Sequence, residues 1–194
     1  WRRFKEDEVC YNGGSALGNV IEQSGTLWNK LLKRELIGCI RFNEKIRYAE
    51  DTLFLSEYLL KANCVAVTKT PLYYYRINRL GNVVSGGLNS RHLDYLYATA
   101  LIFDILRENG SVDVGVERVV DVGIRVAALM NKTNKQKCYM DAIRQLAKKA
   151  MPYRTELIKN NRSVKQYFKK FILTQMSYGN CLFVYCSKIV NRIK

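Results

Sequence analysis

Apolar residues recur at Phe54, Leu55, Tyr58, Leu59 and Ala62. That is helical spacing with one buried stripe, and it predicts a helix over 50–62. A helix is also expected over 26–37, with Ser24 or Thr26 as its cap and Gly38 just past its end. Residues 65–68 and 72–75 read as short strands separated by Lys69-Thr70-Pro71, and 81–87 as a loop. From Ser90 the pattern turns helical. Leu93, Leu96, Tyr97, Ala100, Leu101 and Ile105 mark a long helix that ends near Gly110. Val112, Val116, Val119, Val120, Val126, Ala127 and Met130 mark the next. Further helices are expected over 135–150, 163–176 and 182–193, with no internal repeat.

The helix predicted over 50–62 opens on Glu50-Asp51. A carboxylate at a helix start faces unpaired backbone N–H groups and the positive end of the helix dipole, which favour its charged form. A fixed carboxylate at the edge of a core is what a general base requires, and Asp51 is the candidate. The competing role for Asp51 or Glu50 is a helix cap, since helix starts favour Asp.

Upstream of the pair lies Thr26-Leu27-Trp28-Asn29-Lys30-Leu31, and downstream lies Thr70-Pro71-Leu72-Tyr73-Tyr74-Tyr75-Arg76. Trp28 to Leu31, Phe42 to Glu44, Glu50-Asp51, Tyr73 to Arg76 and Ser85 follow one another in an order and spacing that resemble family 2 glycosyltransferases. The likeness is to the second half of their catalytic domain and covers roughly residues 20–90. It implies an α/β start, the C-terminal half of a GT-A nucleotide-diphospho-sugar transferase domain over 1–87, followed by a mainly α-helical extension over 88–194. It implies sugar transfer from a nucleotide-sugar donor to the hydroxyl of a glycan or lipid-linked glycan, with inversion. Such enzymes take part in bacterial cell-surface polysaccharide synthesis. Asp51 would be the base, and Trp28, Lys30, Glu50, Tyr75 and Arg76 would bind substrate. A divalent metal, manganese or magnesium, is implied with ligands mostly outside this chain, because no Asp-x-Asp occurs in it. The opening Trp1-Arg2-Arg3-Phe4, without Met, is the start expected of the C-terminal portion of a larger enzyme.

Several of these residues carry a second reading. Glu50 either contacts an acceptor hydroxyl or pairs with Lys30. Trp28 either stacks on a sugar ring or anchors its helix through Leu27, Leu31 and Leu32. Arg76 and Arg79 either meet diphosphate with charge-assisted hydrogen bonds or are solvated. His92, the one histidine, is either a further metal ligand or a surface residue at a helix start. Tyr73, Tyr74 and Tyr75 alternate across a strand, which places at least one in the core.

With 48% hydrophobic and 25% charged residues, the 194-residue chain has ordinary globular composition. Six cysteines without a Cys-x-x-Cys pair argue against a zinc site, and reduced, mostly buried thiols in the cytoplasm are expected. No run of about 18 apolar residues is present to span a bilayer.

The net charge of +15 is uneven. Residues 1–90 hold 13 Lys/Arg against 9 Asp/Glu, a net +4, and residues 91–129 hold 4 against 6, a net −2. Residues 130–194 hold 15 against 2, a net +13. There Lys132, Lys135, Lys137, Lys148, Lys149, Lys165, Lys169 and Lys170 are interleaved with Tyr139, Tyr153, Tyr167, Phe168 and Phe171. That mixture suits an anionic membrane surface, at the inner face for a cytoplasmic protein. Nucleic acid is a second class of partner, unsupported by any helix-turn-helix, zinc or RNA-binding signature. A solvated basic surface is the third reading. The rival to sugar transfer is therefore a non-catalytic basic helical module.

Overall fold

The computed structural model describes residues 9–68, 70, 72–74, 76, 87–130, 137–159 and 164–179. They are mainly helical, with one antiparallel pair of strands. Strand β1 (Val9–Asn12) pairs with β2 (Cys64–Val67) in the register Val9↔Val67 to Asn12↔Cys64. The strand expected at 65–68 is β2. Leu72, Tyr73 and Tyr74 lie outside any strand and are exposed, so neither of these tyrosines is core. Tyr75, Arg79, Ser85, most of the expected loop at 81–87 and the helix expected over 182–193 lie outside the described residues.

Helix α1 (Gly13–Gln23) buries Ala16, Leu17, Val20 and Ile21, a four-residue recurrence that places one face in the core. The helix expected over 26–37 is reduced to α2 (Arg34–Ile37). Asn29 has φ 66°, which ends any helix there, and Leu31 is fully exposed. Gly38, with φ 50°, ends α2 as expected. Helix α3 (Glu50–Leu59) then buries Leu53, Phe54, Leu55, Tyr58 and Leu59.

Four longer helices follow, α4 (Arg91–Glu108), α5 (Val112–Ala128), α6 (Lys137–Ala150) and α8 (Val164–Tyr178), with the short α7 (Glu156–Lys159) before the last. The stripe expected on α4 is displaced. Leu96, Ala98, Ile102, Phe103 and Leu106 are buried, whereas Tyr97 is exposed. The reason is that α4 is packed on two sides. Ala98, Ile102 and Leu106 join one apolar cluster with α1 and α3, and Leu96 and Phe103 join a second with α5, α6 and α8. Residues on either side of position 88 thus share a core. On α5, Gly115 sits where a Cβ would lie 3.0 Å from the ring of Phe103, so its lack of a side chain lets α4 and α5 approach.

The thiols depart from expectation. Cys39 and Cys138 are free but exposed, and Cys64 is disulfide-bonded. His92 is buried in the first turn of α4 rather than on the surface, its ring edge-on to Tyr48. Among the described residues, no helix is long and apolar enough to cross a membrane.

Candidate functional site

The start of α3 is built without a capping side chain. The residue before it, Ala49, is buried and holds φ 65°, a left-handed conformation unusual for a residue with a Cβ. Together with Asn29 it is one of two such non-glycine residues among those described, and each adjoins a candidate site residue, Lys30 or Glu50. Strained backbone of this kind persists where surrounding packing over-determines it.

Asp51 lies in the first turn of α3 and is half-buried. Its Oδ1 accepts the backbone N–H of Thr52 at 2.6 Å and the Thr52 hydroxyl at 3.3 Å. The carboxylate therefore takes one free donor of the helix start, as a cap does, from within the helix. Thr52 is buried, and its side chain lies against Gly25, where a Cβ would be 2.6 Å away. That contact brings the segment 24–30 onto the start of α3. The backbone N–H of Lys33, donating to the Tyr58 hydroxyl at 2.7 Å, fastens its other end.

Lys30 is thereby placed near Asp51. Its ammonium donates to Ser24 Oγ at 3.2 Å and Asn29 Oδ1 at 3.1 Å, with no ion pair to Glu50. Partial burial lowers the Lys30 pKa, and the charge of Asp51 opposes that shift. Trp28 does not anchor a helix. Its ring stacks on Tyr73 at 5.2 Å with the planes 25° apart, in a partly exposed aromatic pair. Arg76 is exposed and stands outside any strand; Tyr75 lies outside the described residues.

Residues that the motifs did not single out also feel the charge of Asp51. Tyr48 packs on Tyr95 of α4 at 4.7 Å, and the Arg47 N–H donates to Asp94 Oδ2 at 3.2 Å, which ties the approach to α3 onto α4. Burial raises the pKa of the Tyr48 phenol, with Tyr95 and Asp51 adding to the rise and Arg125 opposing it. Arg118 of α5 shares this field. Its Nε is buried and has no hydrogen-bond partner among the described residues. Burial lowers its pKa; the charges of Tyr95, Asp51 and Asp121 work against the shift and that of Arg125 with it. Arg118, Asp121 and Arg125 recur at helical spacing in a valine-rich helix, the signal that marks them as one polar stripe.

Lys30, Tyr48 and Arg118, from α5 and the segments before α3, thus each feel the charge of Asp51. Among the described residues, no group of three His, Cys, Asp or Glu side chains is placed to hold a metal ion. The divalent cation implied by the resemblance has no donor set there. Comparison of the chain with protein-family models, with curated proteins and with solved structures finds no match.

Proposed function

We propose that this chain is the acceptor-side, C-terminal part of a GT-A glycosyltransferase of the family 2 type, with Asp51 as its general base. The observation that carries the reading is the setting of Asp51, a half-buried carboxylate held by the Thr52 amide, whose charge acts on Lys30, Tyr48 and Arg118. In this reaction an acceptor hydroxyl oxygen bonds to the anomeric carbon of the donor sugar while the bond from that carbon to the phosphate oxygen breaks. The nucleoside diphosphate leaves from the opposite face, and Asp51 takes the hydroxyl proton. Trp28 and Tyr73 offer an aromatic face for a pyranose ring, and Glu50 is free of Lys30 to meet an acceptor hydroxyl. Nothing assigned to these residues runs through a metal ion.

The test is sugar transfer by the protein at its natural full length, using UDP-, GDP- and dTDP-sugars with manganese or magnesium supplied. Asp51→Asn keeps the size of the side chain and removes the base, and is expected to lower turnover by about a hundredfold or more. Turnover unchanged in a folded Asp51→Asn protein would leave Asp51 a helix-start residue only.

A further inference from the structure

Helix α8 buries a lysine beside its aliphatic residues and leaves four aromatic ones outside. Inward it buries Lys169, which is 5% exposed, together with Ile172, Leu173 and Met176. Outward it presents Tyr167, Phe168, Phe171 and Tyr178, which are 51%, 40%, 44% and 69% exposed. At 100° per residue these four fall within one arc of the helix, and Tyr167 to Tyr178 extends about 16 Å along it. The arrangement is held in place. The Lys169 ammonium lies 3.3 Å from both Glu117 Oε2 and Asp121 Oδ1 of α5, and Gln166 donates to Glu117, so α8 cannot roll its aromatic side inward without breaking that network.

Beside this row lies a basic one. The outer side of α6 exposes Lys137, Arg144 and Lys148, with Asp141 as the one carboxylate among them. The two rows meet at the end of α8, where the Arg144 side chain lies against Gly179, next to Tyr178. Not every lysine of the segment takes part, for Lys169 is engaged with α5 and Lys149 pairs with Asp104 of α4.

We propose that the outer face of α8, together with the basic row of α6, docks on an anionic lipid surface. Aromatic rings projecting from a helix side settle among lipid headgroups, and neighbouring basic residues are drawn to the negative surface. Lys137, Arg144 and Lys148, exposed on α6, supply the complementary charge. Single-stranded nucleic acid favours aromatic platforms in a charged groove, whereas these rings stand on the convex side of a helix. The proposal is independent of the sugar-transfer reading.

The test is sedimentation of the full chain with vesicles of phosphatidylglycerol and, separately, of phosphatidylcholine. The chain is expected to sediment with the first, less so as salt rises, and not with the second. Tyr167→Ser, Phe171→Ser and Tyr178→Ser combined are expected to reduce partitioning about tenfold or more, with net charge unchanged and helix content retained by circular dichroism. Arg144→Glu with Lys148→Glu is expected to reduce it by a similar factor. In a separate protein with Trp1 and Trp28 replaced by Phe, Phe171→Trp is expected to give an emission that shifts to the blue on phosphatidylglycerol vesicles. Partitioning indifferent to the aromatic substitutions, or an emission from the introduced indole unmoved by vesicles, would overturn the proposal. So would binding to a single-stranded oligonucleotide in preference to the vesicles.

Discussion

Lys30 bears the cost of its partial burial in its own titration. In the unfolded chain it holds its proton up to the ordinary 10.5, and in the folded chain it releases it earlier. Between those two points the unfolded state binds more protons, so this group makes stability rise with pH across that window. Lys30→Met is expected to remove that rise, measured as the free energy of urea unfolding at a series of pH values approaching 10.5. A slope identical in the two proteins would show that Lys30 is solvated as freely in the folded chain as in the unfolded one. The Glu50-Asp51 pair was legible because helix starts announce themselves locally. The surroundings of Lys30 were not, because they depend on Asn29 adopting a positive φ, and Asn tolerates that conformation without requiring it.

Between α5 and α8, the placement of Lys169 decides which side of α8 faces water. Glu117 and Asp121 stand one turn apart on α5 and repel one another unless the ammonium lies between them. Lys169→Met fills much of the same space without the charge and is expected to destabilise the fold by about 2–3 kcal/mol. Adding Glu117→Gln and Asp121→Asn is expected to restore about half of that, since the stranded carboxylates are then gone. Chemical denaturation of the single, double and triple variants closes the cycle, and strict additivity would refute the coupling. The helices themselves were readable from periodicity, with α5, α6 and α8 close to their expected spans. Which side each buries was less so. On α8 Ile172, Leu173 and Met176 go inward as hydrophobicity dictates, but Lys169 goes in with them while four aromatics stay outside. On α4, packing on two sides leaves no single stripe to read. β1 and α1 had no signal strong enough to stand out, because each is defined by the element it packs against.

Among the described residues two apolar clusters form, and α4 belongs to both. Ile102 and Phe103 are neighbours on α4, yet each is wholly buried in a different cluster. Ile102→Ala and Phe103→Ala are each expected to cost about 3 kcal/mol. Each is also expected to move a single unfolding transition, with far-ultraviolet circular dichroism and tryptophan fluorescence changing together. Two separate transitions, each sensitive to one substitution, would mean that α4 does not couple the clusters. The charge step and the motifs near the start suggested a boundary at 88. Arg118, far beyond it, is nevertheless among the groups on which the charge of Asp51 acts, and distance along the chain hid it.

That shared helix restricts how such a protein diversifies. Recombination that exchanged the segment after Leu88 for another chain's helices would remove Ala98, Ile102 and Leu106 from beneath α3, and with them Arg118, on which the charge of Asp51 acts. Changes around Asp51 must then arise by point substitution within one inherited unit rather than by shuffling interchangeable parts.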